Sequence, residues 1–347
     1  MVSKKICAAS ILFFGSAAMA DSHGMKHDVQ ADFRWESGEV TTKAGDADPE
    51  SAPLTANSYY RLNVKFNPAD KVTARIRLNG SSAVTGYDDN DNPTAQDDSA
   101  EQALLQMSDY YYVRYAMSDS LSLTFGNDKM KVGGYSYANS HLLHVSDSVA
   151  NMGQNLGYNN GLGVSYGMGA NSFNLQIMRD NRHVNNVGKV DPGTAVAFEW
   201  TGDFGAVKPL VQYAVYDFSK SNIMTIGLGW TGNNMGLTFD YITNNMSSSA
   251  SDDAAKITFN GMDLDFHLEM GAYSPYFRYS TSASKDQDGN EGNAYNNMSI
   301  GSYFNYAGTK AFRPYFRYSS TTETDKSGAE EVKNTYTEMA LGLTSSL

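Results

Sequence analysis

Basic side chains recur at alternate positions in the first third of the sequence: Arg34, Arg61, Lys65, Arg75, Arg77 and Arg114. Their neighbours are apolar or aromatic, as in Arg61-Leu62-Asn63-Val64-Lys65 and Ala74-Arg75-Ile76-Arg77-Leu78. On an extended chain residues i and i+2 share a face, so these cations point together if their segments lie side by side. Such a wall attracts anions and orients dipolar solutes, and it keeps its charge only where water reaches it. The alternative is scattered solvated charge, paired with neighbours such as Asp32 and Glu36.

Other constellations are less specific. Asp286-Gln-Asp288-Gly-Asn290-Glu-Gly292 spaces oxygens like a calcium loop but lacks the full twelve-residue ligand set, so a solvated loop is the better reading. Asp88 to Asp98 is also acid-rich but has Pro93 where such a loop wants glycine. His141 and His144 lie close together, and His23 and His27 sit near the N-terminus. No Ser–His–Asp arrangement can be singled out. No metal ligand set and no cofactor are expected.

The elements that would position the basic residues are strands. Period-two alternation runs through sixteen segments. In the second, Tyr60, Leu62, Val64 and Phe66 oppose Tyr59, Arg61, Asn63 and Lys65. In the tenth, Met224, Ile226, Leu228 and Trp230 share a face; Thr225 and Gly227 are expected to face water. In the sixteenth, Met339, Leu341 and Leu343 recur. Tight turns such as Asn67–Asp70, Met117–Ser120, Gly169–Asn171, Gly202–Gly205 and Gly232–Asn234 alternate with longer polar connections near 37–57, 80–103, 127–160, 180–193, 244–256, 281–296 and 320–333.

That alternation of short turns and long loops predicts an all-β transmembrane antiparallel β-barrel of sixteen strands, with both termini on the short-turn side. A barrel must close because lipid offers no partner for an unpaired backbone edge. A soluble β-sandwich shares the alternation but not the alternating loop lengths. The 23 Tyr and 31 Gly fit a barrel, where each strand buries only one face and aromatics gather at the two membrane interfaces.

The first twenty residues carry Lys4 and Lys5, an apolar run centred on Ile11-Leu12-Phe13-Phe14, and Ala18-Met19-Ala20, which reads as a cleavage site. This is a secretory signal peptide, leaving residues 21–347 as one barrel domain. The single Cys, Cys7, falls within it, so thiolate catalysis, disulfides and cysteine metal sites are excluded from the barrel. The net charge of −12 argues against nucleic-acid binding, which needs a basic face.

Pro275-Tyr-Phe-Arg-Tyr-Ser280 recurs as Pro314-Tyr-Phe-Arg-Tyr-Ser319, each copy following a short turn, and reads as aromatic-girdle architecture. With this strand "RPYFRY" at Arg313 to Tyr318 and "LSLTFGND" at Leu121 to Asp128, the chain resembles the Gram-negative general porins over its whole length after residue 20. The resemblance implies an outer-membrane channel for passive diffusion of small hydrophilic solutes and ions. It also implies a homotrimer, bilayer lipid and lipopolysaccharide as surroundings, and a third outer loop folded inward opposite the basic wall. The pore constriction would then be formed by Arg61, Arg75, Arg77 and Arg114, with Asp128 and Asp147 as the loop's acids. Lys131 to Ser148 lacks the acidic, glycine-containing segment typical of that loop, and the chain ends in Leu347 where porins end in phenylalanine. A barrel enzyme or an adhesin acting through the outer loops is the alternative.

Overall fold

The computed structural model describes residues 26–45, 47–81, 108–135, 158–184, 190–216, 221–247, 256–305, 312–326 and 331–346. The expected signal peptide, Asp147, His141, His144 and Asp88 to Asp98 lie outside them. The described residues form sixteen strands: β1 (Lys26–Ala44), β2 (Glu50–Ala69), β3 (Val72–Ser81), β4 (Ser108–Ala116), β5 (Leu121–Lys129), β6 (Tyr158–Met168), β7 (Asn171–Val184) and β8 (Val190–Gly202) in the first half. The second half comprises β9 (Val207–Tyr216), β10 (Ser221–Thr231), β11 (Met235–Ser247), β12 (Lys256–Leu268), β13 (Tyr273–Asp286), β14 (Glu291–Phe304), β15 (Phe312–Asp325) and β16 (Val332–Ser346). Each pairs antiparallel with its sequence neighbours, and β1 pairs with β16 from Asp32↔Ser346 to Ala44↔Asn334, closing the barrel.

The predicted alternation becomes two faces. Ile76, Phe125, Ile177, Leu228, Phe239, Ile300 and Leu341 stand exposed on the outside, while their polar neighbours turn inward. An apolar surface this continuous is unstable in water and at home in hydrocarbon. No described helix is long and apolar enough to cross a membrane; the strands do so.

Strand tilt is visible in the register. The outward row Trp230, Leu237, Phe266, Phe277, Ile300, Tyr318 and Met339 is apolar throughout. Two outward rows above it, the row starts as Ile226, Tyr241 and Met262 but continues as Thr281, Asn296 and Thr322. The lipid band therefore crosses the hydrogen-bonded rows obliquely, as tilted strands in a barrel require.

Two expectations change. Several outer connections are shorter than the alternation implied. β1 and β2 pair out to Thr42↔Glu50, and β13 and β14 pair out to Lys285↔Glu291. Above the membrane both faces of a hairpin meet water, so the apolar alternation stops while backbone pairing continues. The β5–β6 connection, residues 130–157, remains the longest.

The repeat is also only half girdle. Phe316 and Tyr279 face outward, but Tyr276, Arg278, Tyr315 and Arg317 are buried on the inner face. Tyr276 lies opposite Gly301 and Tyr315 opposite Gly342; a Cβ at either glycine would strike the ring. Each glycine thus gives its tyrosine a flat bed on the wall. Tyr303 joins the two rings at centroid distances of 5.5 and 5.6 Å. Arg278 pairs with Asp265, and Arg317 with Glu338.

Candidate functional site

The basic wall is built by register. Lys65 lies opposite Arg75, Asn63 opposite Arg77 and Arg61 opposite Asn79 along β2–β3. One row nearer the short turns, Arg114 lies opposite Thr73. Arg114, Arg75, Arg77 and Arg61 therefore occupy four successive inner rows, about 7 Å apart along the strands. Arg75 Nε donates to Asn63 Oδ1 at 2.8 Å, and Arg114 Nε to Thr124 Oγ1 at 3.3 Å. The Arg114 guanidinium carbon lies 5.9 Å from the centre of the Tyr112 ring. These contacts hold the groups against the inner wall. The four predicted arginines thus share one inner wall, spread along it over three adjacent strands.

The predicted acids fare differently. Asp128, next to last in β5, is on the inner side and buried, with its Oδ1 accepting from Lys129 N at 2.8 Å. It shapes the root of the loop, and other inward acids lie on the opposite wall, buried there. Asp240 on β11 lies directly opposite Asp263 on β12, with Asp265 in the next inner row and Glu199 on β8. In a closed ring of sixteen, β3 and β11 are eight strands apart and face each other across the interior. Parity alone could have found these acids, since Glu199 sits between Phe198 and Trp200, and Asp240 between Phe239 and Tyr241.

The described start of the third connection, Met130 to Tyr135, runs inward along the inner faces of β7 to β11. Lys131 N donates to Gln176 Oε1 at 2.8 Å, and Gln176 Nε2 returns a bond to Lys129 O at 3.1 Å. Gly134 N donates to Gln212 Oε1 at 2.8 Å. Tyr135 OH donates to Lys208 O at 2.9 Å, and its ring lies over Gly227 and Gly229. Gly134 has φ +73°, and a Cβ there would sit 2.5 Å from the Asp240 carboxylate carbon, so only glycine fits.

Met130 and Val132 pack with Met178, Ala195, Ala197, Ala214, Tyr216, Ile223 and Ile242 into a buried apolar cluster. All of these wall residues occupy inner positions on β7–β11. This side of the interior is filled, contrary to the expectation that Thr225 and Gly227 face water: both are buried here, as is Asp240. Small alanines and glycines on the wall leave the room the segment occupies.

The calcium-like hairpin is self-sufficient. Asp286 Oδ1 accepts from Asp288 N and Asn290 N, both at 2.9 Å, and Oδ2 accepts from Asn290 Nδ2 at 2.8 Å. Its carboxylate closes the turn itself. No group of three or more metal-ligating side chains occurs among the described residues.

No protein-family model matches the sequence, and no curated protein matches it. The fold does match solved structures. An anion-selective porin from Comamonas acidovorans superposes with a TM-score of 0.61 at 12% identity, covering 93% of this chain and 100% of that one. The outer membrane channel DcaP of Acinetobacter baumannii gives 0.60 at 11%, covering 94% and 99%. OmpT, an outer membrane protein of Vibrio cholerae in its trimer form, gives 0.57 at 9%, covering 93% and 99%. The chain has the barrel fold of outer-membrane porins.

Proposed function

We propose that this chain forms a water-filled channel in the outer membrane for passive diffusion of small hydrophilic solutes and ions. The observation that carries the reading is the confrontation inside a closed sixteen-stranded barrel. A staircase of four arginines on β2–β4 stands across the ring from the inward-running start of the third connection, behind which Asp240 and Asp263 are buried in the wall. Sixteen strands enclose more space than side chains fill, unlike the smallest barrels. Opposed charges across the remaining space create a transverse field that orders polar solutes. A channel of this kind needs no cofactor and makes or breaks no bonds.

The reading includes removal of residues 1–20 on export, lipid and lipopolysaccharide around the outer band, and assembly as a homotrimer. The solved structures with this fold support it: two of the names given above are those of a porin and a channel, and one is a trimer form. The test is conductance. Purified protein added to a planar bilayer should produce stepwise, ohmic current increments. Folded protein that inserts without any conductance overturns the proposal and leaves the outer loops as the working part.

A further inference from the structure

The inner row that meets the third connection is a chain of hydrogen bonds with one direction. Ser165 Oγ donates to Asn174 Oδ1 at 2.5 Å, and Asn174 Nδ2 donates to Glu199 Oε1 at 2.8 Å. Gln212 Nε2 donates to Glu199 Oε2 at 2.7 Å, and Gln212 Oε1 accepts from Gly134 N at 2.8 Å. These wall residues are register partners on β6, β7, β8 and β9: Ser165↔Asn174, Asn174↔Glu199 and Glu199↔Gln212. An ionised carboxylate only accepts, so both Glu199 oxygens demand donors. Gln212 must then turn its amide nitrogen to Glu199 and its oxygen to the loop. An uncoordinated glutamine would be equally content reversed, presenting an NH₂ that repels the Gly134 N–H.

We propose that Glu199, acting through Gln212, is the positioning residue that fixes the third connection against the β9–β11 wall and so sets the width of the channel. This rests on the channel reading, which the experiment tests separately. The carboxylate supplies what the apolar cluster cannot, namely register. Met130 and Val132 pack against apolar side chains through contacts that have no direction, whereas the Gln212–Gly134 bond holds one backbone amide at one place. The Gln176–Lys131 and Tyr135–Lys208 bonds flank it on either side.

The role predicts an unusual rescue. Q212E keeps the shape of the side chain but sets two carboxylates against each other. E199Q/Q212E moves the charge by one strand. The amide then carried at position 199 accepts from Asn174 and donates to the carboxylate at position 212, which in turn accepts from Gly134 N. The experiment uses the full barrel folded in detergent, checked by its heat-modifiable gel shift, with two readouts. One is trypsin cleavage at Lys129 and Lys131; the other is single-channel current noise. Q212E should be cleaved roughly tenfold faster at neutral pH, the scale of one lost charge-assisted hydrogen bond. It should recover on acidification, when one protonated carboxyl donates to the other. E199Q/Q212E should match the parent at both pH values. Gln212→Met, uncharged, should be cleaved faster at both. Q212E indistinguishable from the parent, or a double variant as labile as the single, overturns the proposal. If the parent conducts no current the channel reading fails, while the cleavage series still judges the latch.

Discussion

At the scale of the residue, charge acts over short distances. Exposed charges more than about 10 Å from a constriction are largely screened at 0.1 M salt. The chain's net charge of −12 is therefore a poor guide to selectivity, and the arginine staircase a better one. Replacing Arg75 and Arg77 together with Gln should shift the reversal potential in a salt gradient towards cations. Lys326→Gln should leave it near the parent value, because Lys326 sits at the outer end of β15, exposed and paired with Glu291 at 3.0 Å. A larger shift from Lys326→Gln than from the double variant would remove the staircase from the constriction. The lipid face makes a complementary prediction. Leu228 is 49% exposed on the outside of β10. Leu228→Arg should cost about 2–4 kcal/mol of barrel stability if the site lies near the midplane. Thr321→Arg, on the inner face of β15 beside Glu323, should cost less, as measured by denaturant titration in lipid vesicles.

At the scale of the element, most of the fold was legible because each strand states its own two faces. Met224, Ile226, Leu228 and Trp230 against Thr225 and Gly227 fix inside and outside on β10 without any knowledge of β9 or β11. Arg61, Arg75, Arg77 and Arg114 were legible as a wall for the same reason. What parity could not reveal was which inner faces meet water. Thr225 and Arg75 share inner parity, yet one is fully buried beneath the third connection and the other faces the open interior. That difference depends on where Gly134 and Tyr135 come to rest, contacts 78 and 73 residues apart in sequence. The acids followed the same logic. Loop position suggested Asp128, whose carboxylate accepts from the next backbone amide, while strand parity alone places Asp240 and Asp263 side by side on the opposite inner wall. Sidedness is the element-level prediction. An epitope inserted after Asp288, in the β13–β14 hairpin, should be labelled on intact cells, and one within Gly232 to Asn234 should require permeabilised cells. The reverse pattern would invert the barrel.

At the scale of the whole molecule, the barrel depends on one seam that no hairpin can nucleate. Fifteen of the pairings join strands adjacent in sequence, whereas β1 and β16 must find each other across the full chain. Until they do, two edges present unpaired amides and carbonyls that hydrocarbon cannot satisfy. The seam has a narrow point at Gly38, opposite Ala340 and next to the irregularity in β1–β2 pairing between Glu36 and Gly38. A Cβ at Gly38 would run into the Met339 carbonyl oxygen, which is backbone and cannot swing away. Elsewhere on the wall a glycine is less constrained: at Gly163, opposite Thr124 and Gln176, the nearest atom to a new Cβ is 3.6 Å away. Gly38→Ala and Gly163→Ala add the same methyl group to the same kind of strand, so propensity and hydrophobicity cancel in the comparison. Gly38→Ala should cost about 1–3 kcal/mol as overpacking. It should also slow closure, which leaves open species exposed to aggregation. On refolding from urea into lipid vesicles, Gly163→Ala should give the parent's yield of the heat-modifiable band. Gly38→Ala should give less of it, and the yield should rise if Ala340 is changed to Gly to let the two backbones slide apart. Equal yields from the two single variants would mean that the seam is no tighter than the rest of the wall.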